Sequence, residues 1–270
     1  MSRTLLVTTS HSLLRVDAET GAYQPLHRGR GLYFGIATDG TRYFVAARGR
    51  MVSSADAAEG ERGAILVFDR AMRPLGELAP PFPMRDMHEI LWKNGKLWVT
   101  CSFDNMIAVL DESSGSWESW YPFGPTPQPP YDVNHLNSLA FDAGDLCVIA
   151  HNRGPSELLR FDPTSRALLS RTPFGIQSHN IRRTREGALI TCSSGDGTLV
   201  SLQGWRLEVG GFTRGIAIFE DETYVGVSEI AERQERDLST GQLAVYDRAW
   251  NRVRTFALPG EGLVLDLSSA

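Results

Sequence analysis

Short runs of apolar residues, each following a tight turn, recur along the whole chain. The turns contain pairs such as Asp39-Gly40 and Asn94-Gly95, which favour hairpins between apolar strands. The runs that follow these turns occupy residues 43–47, 97–102, 146–150, 189–193 and 224–228. No long stretch has the periodicity of an amphipathic helix. The pattern predicts an all-β chain built from short antiparallel strands.

A second repeat places an aspartate behind an aliphatic or aromatic residue and next to a turn. Its copies are Val16-Asp17, Phe68-Asp69, Leu110-Asp111, Phe161-Asp162 and Tyr246-Asp247, with Leu202-Gln203 as a degenerate sixth copy. Six copies divide the 270 residues into units of about 45, which is the period of a propeller blade. We therefore predict one domain, residues 1–270, folded as a six-bladed β-propeller with four-stranded antiparallel blades. The aspartates are expected to stabilise turns.

The two ends of the chain are predicted to complete one blade together. Residues 5–10 match residues 97–102 position by position, so the chain begins in the second strand of a blade. The first strand of that blade must then come from residues 262–267. We expect the ring to close by pairing of this C-terminal strand with the N-terminal strands.

The long connections are predicted to lie on one rim of the propeller. If the strands of a blade are lettered a to d from the channel outwards, the b–c and d–a connections share one face. Residues 48–62 and 229–241 are b–c connections, and residues 79–86 and 121–134 are d–a connections. Functional residues concentrate on elaborated loops, so we expect the functional site at this rim. The repeated aspartates belong to the opposite rim.

Charge and cysteine content exclude several classes of function. The formal net charge of −5 removes the basic footprint of a nucleic-acid or anionic-membrane binder. No apolar run approaches the roughly 20 residues of a membrane-spanning helix, and the N-terminus lacks the long apolar region of a secretory signal. The chain is therefore expected to be cytoplasmic. Cys101, Cys147 and Cys192 contain no CxxC pair and are predicted to be buried, without a disulfide framework or a thiolate zinc site.

Three of the six histidines fall at the starts of inner strands in consecutive blades. His88 and His179 each lie twelve residues before the threonine of a Thr-Cys-Ser run, and Asn137 holds the same position in the blade between them. His135 lies two residues earlier, on the same side of its strand. Imidazoles from separate rigid strands suit a divalent metal, with Fe, Mn, Zn and Ca left open. The alternative is a set of hydrogen-bonded channel residues that hold water.

Other polar residues are expected at the same mouth of the channel. His151 ends a second strand and is a candidate fourth ligand or general base, and Glu229 is a candidate acid or base. Both carry the predicted catalytic role. Arg214 would supply a cation for a carboxylate or phosphate. The predicted substrate-binding residues are Arg214, Asn137, Asn180, Asn105 and Tyr33. Glu229 also fits a solvated loop carboxylate, and Arg214 also fits an ion pair with Glu229.

Three segments carry a resemblance to a known family. They are His135-Leu136-Asn137-Ser138-Leu139-Ala140, Ser178-His179-Asn180 with residues 193–197, and Phe212-Thr213-Arg214-Gly215-Ile216-Ala217 with residues 224–229. Over about 100 residues the chain resembles an uncharacterised bacterial β-propeller family, a domain of unknown function. The resemblance implies a propeller and draws attention to His135, His179, Arg214 and Glu229, but implies no reaction. More loosely, the architecture is similar to that of metal-dependent propeller lyases, hydrolases and carotenoid-cleaving oxygenases.

The sequence therefore favours a metal-dependent enzyme acting on a small polar or anionic substrate. Lyase or hydrolase chemistry is expected, with His88, His135 and His179 as metal ligands. A metal-dependent oxygenase remains open, and so does a non-catalytic binding module that uses the same rim. No nucleic-acid or membrane partner is expected.

Overall fold

Each sequence repeat forms one four-stranded antiparallel sheet in a computed structural model that describes residues 3–54, 58–124 and 131–270. The strands of the N-terminal region are β1 (Thr4–Thr9), β2 (Ser12–Asp17) and β3 (Tyr23–Arg28). Blade 1 contains β4 (Tyr33–Thr38), β5 (Arg42–Ala47), β6 (Ala64–Asp69) and β7 (Pro74–Leu78). Blade 2 contains β8 (Met87–Lys93), β9 (Lys96–Cys101), β10 (Met106–Asp111) and β11 (Ser116–Trp120).

The remaining blades follow the same meander. Blade 3 contains β12 (Leu136–Asp142), β13 (Asp145–Ala150), β14 (Pro155–Phe161) and β15 (Leu168–Ile176). Blade 4 contains β16 (Ser178–Arg183), β17 (Leu189–Ser193), β18 (Thr198–Ser201) and β19 (Arg206–Glu208). Blade 5 contains β20 (Phe212–Ile218), β21 (Thr223–Ser228), β22 (Gly241–Tyr246) and β23 (Arg252–Leu258), and the last strand is β24 (Val264–Ser269). Short 3-10 helices occupy Ala58–Gly60 and Arg233–Leu238.

The ring closes as the sequence predicts. β24 pairs antiparallel with β1, so blade 6 has the order β24-β1-β2-β3. The first strand of every blade contacts the first strands of both neighbouring blades. These six strands, β4, β8, β12, β16, β20 and β24, are called the inner strands below. They surround the channel, and the prediction of a six-bladed all-β propeller is confirmed.

The hydrophobic core lies between neighbouring blades. Strand side chains alternate between the two faces of each sheet, so every blade buries one apolar set against each neighbour. Between blades 1 and 2, Phe44 stacks on Trp92 with ring centroids 5.2 Å apart. Cys101, Cys147 and Cys192 are buried and form no disulfide, as expected. Because each blade packs on both sides, the ring is the cooperative unit.

The repeated aspartates cap the turns between third and fourth strands. The Asp17 carboxylate accepts hydrogen bonds from the backbone N–H groups of Glu19 and Thr20, and Asp162 does the same for Thr164 and Ser165. These bonds satisfy amides that no strand pairs with, and they lower the pKa of both carboxyls. The expected turn-stabilising role is confirmed for both.

The b–c and d–a connections meet on one rim, called the loop rim below. The backbone N–H of Ser102, after β9, donates to the carbonyl of Asp86, just before β8. Two b–c loops also touch across blade 6, because the backbone N–H and hydroxyl of Ser53 donate to Asp237 at 2.8 and 2.7 Å. The proline-rich part of the 121–134 connection, residues 125–130, lies outside the described residues. Within the described ranges, no helix is long and apolar enough to cross a membrane.

Removal of the last ten residues is expected to open the ring. The deletion removes the buried side chains of Val264, Leu265 and Leu267, and exposes the apolar face of β1 that they cover. Each large buried side chain is worth about 2–5 kcal/mol, so the loss is comparable with the whole stability of a domain, about 5–15 kcal/mol. Thermal unfolding should show a large fall in melting temperature. Deletion of Ala270 alone is the control, and an unchanged melting temperature in the long truncation would show that β24 does not close the ring.

Candidate metal centre

A β-bulge near the loop-rim end of each inner strand aims side chains into the channel. The extra residues interrupt the pairing of all six inner strands with their second strands. A bulge bends its strand and redirects the side chains within it. The residues at these irregularities include Phe34, His88, Glu89, Asn137, Asn180, Arg214 and Leu265, all of which line one small cavity in the channel. The bulges therefore build the candidate site.

The three predicted histidine ligands converge on the channel axis. One ring nitrogen from each of His88, His135 and His179 lies within 4.8 Å of the others, and all three side chains are buried. The ring centroids of His88 lie 4.8 Å from those of His135 and 6.2 Å from those of His179. Three separate blades thus bring three imidazoles to one point, as the sequence alignment predicts.

Hydrogen bonds determine which nitrogen of His88 faces the channel. Its Nδ1 lies 2.9 Å from the carbonyl oxygen of Asp86 and 3.0 Å from Ser102 Oγ. The Ser102 hydroxyl donates to the carbonyl of Leu136 at 2.6 Å, so it accepts from the imidazole. Both partners are therefore acceptors, and His88 Nδ1 carries the proton. The Nε2 lone pair is left available for a metal.

His179 repeats this arrangement two blades away. Its Nδ1 lies 2.8 Å from Ser194 Oγ, and the Ser194 hydroxyl donates to the carbonyl of Thr213. Its Nδ1 is therefore also protonated. His135 reaches the same state through Asp132, whose Oδ1 lies 2.5 Å from Nδ1. All three histidines present an Nε2 lone pair, the tautomer that metal-binding histidines with an outer hydrogen-bond acceptor adopt.

His151 adopts the opposite tautomer. Its Nδ1 accepts a hydrogen bond of 3.0 Å from the backbone N–H of Arg153, so the neutral ring carries its proton on Nε2. The ring centroid lies 4.8 Å from that of His135 and 5.1 Å from that of His179. His151 therefore joins the cluster as a hydrogen-bond donor. A fourth metal ligand would require the proton on its other nitrogen.

Burial keeps the four imidazoles neutral. It lowers the pKa of His88 and His179 well below the usual value, and Arg214 lowers both further. The pKa of His135 falls to about 4 and that of His151 to about 2, again mainly through burial. Neutral imidazole is the form that binds metal. The four imidazoles are therefore in the protonation state that metal binding requires at neutral pH.

Arg214 occupies the side of the cluster that faces blades 1 and 5. Its Nη2 lies 2.6 Å from His179 Nε2, and its guanidinium carbon lies over the rings of Phe34 and Phe212, 5.9 and 5.1 Å from their centroids. Among the residues that the structure describes, no carboxylate forms an ion pair with it. Burial and the charges of Arg236 and Arg48 lower its pKa to about 9, although the negative charge of Asp86 acts to raise it.

A partly buried carboxylate supports the histidines from the outside. Asp86 lies 2.6 Å from Arg48, which also forms a two-pronged pair with Glu61 at 3.0 and 2.7 Å. Burial opposes ionisation of Asp86, but Arg48 and the neighbouring His88 hold the pKa of its carboxyl far below the usual range. Because Asp86 remains ionised, it offsets part of the positive charge at the mouth.

A second polar layer lies deeper in the channel, beneath the histidines. Arg182 Nη2 lies 3.3 Å from Glu89 Oε1 and 3.1 Å from Asp266 Oδ1, and the amide nitrogen of Asn180 donates to both carboxylates. Burial raises the pKa of Glu89 to about 8, helped by Asp266 and opposed by Arg182. Two carboxylates thus share one arginine, and the layer is near neutral when Glu89 is protonated.

The predicted substrate-binding residues occupy different places. Asn137 and Asn180 line the cavity beside the histidines, but their amides hold the channel together: Asn137 donates to the Ser178 carbonyl. The side-chain oxygen of Asn105 accepts from the backbone of Asn134 in a neighbouring loop. Asn105 therefore stabilises the loop rim.

Tyr33 lies outside the channel. Its hydroxyl lies 2.8 Å from His27 Nδ1, and its ring is fully buried between blades 6 and 1. The bulge in β4 shifts the register by one position, so Phe34 lines the cavity instead. Glu229 is exposed on its loop, where its carboxylate accepts from the backbone N–H of Thr240. It lines a different surface pocket from the histidines.

Sequence reasoning missed the carboxylates of the site. Glu89 and Asp266 interrupt otherwise apolar inner strands, and a charge inside a strand predicted to be buried marks a polar partner. Asp86 and Asp132 lie two and three residues before a candidate histidine, a spacing that is short enough for a supporting contact. These signals are present in the sequence, but the arginines that pair with Glu89, Asp266 and Asp86 come from other blades.

The cavity beside the histidines is small. Its volume of about 10 Å³ is close to that needed by a single water molecule or ion. The cavity therefore has no room for an organic molecule.

The four imidazoles should show two different tautomers in the metal-free protein. We expect protonated Nδ1 in His88, His135 and His179 and protonated Nε2 in His151, because their hydrogen-bond partners differ. ¹⁵N-detected long-range imidazole spectra distinguish these forms. The low pKa values predict no titration of His135 or His151 as the pH falls from 8 to 5. An Nδ1–H form of His151, or a midpoint near the ordinary histidine value of about 6.5, would contradict the assignment.

Comparison with known proteins finds similarity in fold but not in sequence. No protein-family model and no curated protein matches this sequence. The structure is similar to a protein of unknown function from Bacteroides caccae, with a TM-score of 0.71 at 14% identity over 100% of this chain and 99% of that chain. It is also similar to a structure of a nidogen/laminin complex, with a TM-score of 0.72 at 12% identity over 99% and 98%. Likeness at this identity shows the fold alone, and it is consistent with an uncharacterised β-propeller family.

Proposed function

We propose that this protein is a metal-dependent enzyme, a lyase or hydrolase, that acts on a small anionic substrate at the loop rim. The observation that carries the proposal is the convergence of three neutral histidines, each of which donates a hydrogen bond from Nδ1 to a neighbouring group. Such a set directs three Nε2 atoms to one point, the arrangement of catalytic metal sites, although that of His179 accepts a hydrogen bond from Arg214.

The donor set favours some metals over others. Imidazole nitrogens suit Zn, Fe and related transition metals, whereas Ca²⁺ takes oxygen ligands. His88, His135 and His179 would hold the ion, with Asp132 and Ser194 orienting two of the rings. The cavity of about 10 Å³ beside them, which His88 and His179 line, has room for one ion or water molecule. Of the metals that the sequence left open, zinc and iron fit best.

The surrounding residues would orient the substrate. A metal at this position would polarise a carbonyl group or lower the pKa of bound water. The Nε2–H of His151 can donate to an oxygen of the substrate, and the Arg214 guanidinium supplies a positive charge for an anionic group. Because the ligand histidines are neutral, the ligand set itself carries no charge that cancels that of the ion, and an anionic substrate is favoured.

Metal content is the primary test. Protein purified after growth in medium supplemented with iron, manganese and zinc should contain close to one metal ion per chain by mass spectrometry. His88→Ala combined with His179→Ala should lose the metal, because one remaining imidazole binds weakly. His11→Ala is the matched control, since His11 contacts Asp237 outside the cluster and should leave the metal content unchanged.

Two results would redirect the proposal. Absence of metal from the purified protein after supplementation would contradict a metal-dependent enzyme and favour the non-catalytic binding module. Bound iron would favour oxygen chemistry over hydrolysis or elimination, whereas zinc would support the proposed reaction class.

Metal affinity should depend only weakly on pH between 7.5 and 5. Protons compete with a metal only as the pH falls through the pKa of the folded ligand, and the pKa values of His88, His135 and His179 lie far below 6.5. Histidines of ordinary pKa would lose about 30-fold in affinity per imidazole at pH 5. Equilibrium titration with Zn²⁺ at the two pH values measures the difference. A steep loss of affinity would show that the imidazoles are protonated near pH 6.

A further inference from the structure

Arg214 competes for the lone pair that a metal needs. Its Nη2 donates to His179 Nε2 at 2.6 Å, while His179 Nδ1 is held by Ser194. The guanidinium therefore blocks one of the three ligand positions. The guanidinium also places a positive charge next to the position that a metal ion would occupy. Two positive charges so close together in a buried site repel strongly. Metal binding requires Arg214 to move or to be neutralised.

The guanidinium of Arg214 also has a hydrogen-bond donor without a partner in the described part of the chain. Arg214 is 9% exposed, and its Nε is buried without a hydrogen-bond partner in the described part of the chain. A buried donor without a partner is costly, and native proteins rarely retain one without a ligand or water. Within the described ranges, the neighbouring Arg48 is paired with Glu61 and Asp86, but no carboxylate pairs with Arg214.

We propose that Arg214 binds a carboxylate of the substrate, and that this carboxylate and the metal bind cooperatively. This inference rests on the proposed metal centre. The two oxygens of a carboxylate match Nε and Nη2 of a guanidinium. The carboxylate would therefore accept from the unpartnered Nε and draw Nη2 away from His179. Its negative charge cancels the repulsion between Arg214 and the ion. Binding of the anion thereby favours release of the metal-binding lone pair of His179.

The walls of the site favour a planar anion. The Arg214 guanidinium lies over the rings of Phe34 and Phe212, and its N–H donors point outwards in its own plane. Approach in the plane of the guanidinium is the geometry of a two-pronged carboxylate pair. The class of substrate is therefore a small carboxylic acid whose reacting group lies on the histidine side of its carboxylate.

Zn²⁺ affinity with and without acetate tests the coupling. Binding is measured by competition with a chromogenic chelator in sodium acetate and in sodium chloride at equal ionic strength. We expect at least about tenfold tighter Zn²⁺ binding in acetate, within the usual range of coupling between sites. In Arg214→Gln, Zn²⁺ should bind more tightly in chloride than it binds the parent protein, and acetate should have no further effect. Acetate also binds free Zn²⁺, and it does so equally in the titrations of the parent protein and of Arg214→Gln. Comparison of the two proteins therefore cancels that effect.

Arg236→Gln is the matched control. Arg236 also lies over Phe212 and lowers the pKa of Arg214, but it makes no contact with a histidine. The acetate effect should persist in Arg236→Gln. Its loss there would show that general positive charge at the mouth, and not the contact between Arg214 and His179, causes the effect, and would overturn the proposal.

A measurement on the parent protein removes any dependence on the folding of variants. By linkage, Zn²⁺ must tighten acetate binding by the same factor as acetate tightens Zn²⁺ binding. The Nε–H resonance of Arg214 reports acetate binding directly. Zn²⁺ binding that acetate does not change overturns the proposal while the metal centre stands. Failure to bind Zn²⁺ in either salt overturns both the metal centre and the coupling.

Discussion

The free edges of the inner strands are the constraint on which this structure depends. Each inner strand is paired on one side only, so backbone groups on its other edge face the channel and need partners. Buried side chains supply them: Asp266 accepts from the backbone N–H of Ile36 at 3.0 Å, and Asn180 accepts from that of Gly215 at 2.6 Å. Gly215 has a φ of +81°, which a bulge of this kind requires. Polar residues in the channel are therefore part of the fold.

The candidate site uses the same structural device. Bulges that direct Asp266 and Asn180 inwards to satisfy backbone groups also direct His88 and Arg214 to the axis. The result is asymmetric, because blades 2 to 4 contribute imidazoles while blades 1 and 5 contribute aromatic rings and a guanidinium. Neutral imidazoles and a buried cation are thus brought into contact at the channel mouth. This juxtaposition is the basis of our proposal that a metal and an anion bind together.

Much of the site could be predicted because repeats convert sequence position into spatial position. Once His88 and His179 align, the ring places them near each other, and the neighbouring blade adds His135. Alignment of the blades also predicts that Tyr33 faces the channel, and this is wrong by one residue. The bulge in β4 changes the register and turns Phe34 inwards instead. Glu229 was expected at the mouth from its strand end alone, yet its carboxylate folds back onto its own loop.

The sequence by itself determined the architecture: turn pairs, strand periodicity and an aspartate repeat specify six blades and the closure of the ring, because these signals are local and recur. Only the tertiary structure decided the chemistry of each side chain. The tautomer of His151 depends on the backbone of Arg153, that of His88 on a serine whose hydroxyl is directed by the next blade, and the state of His179 on an arginine from blade 5. The bonds from Ser102 to Leu136 and from Arg214 to His179 join different repeats, and the bond to His151 depends on how its loop folds, so no spacing along the chain encodes their geometry.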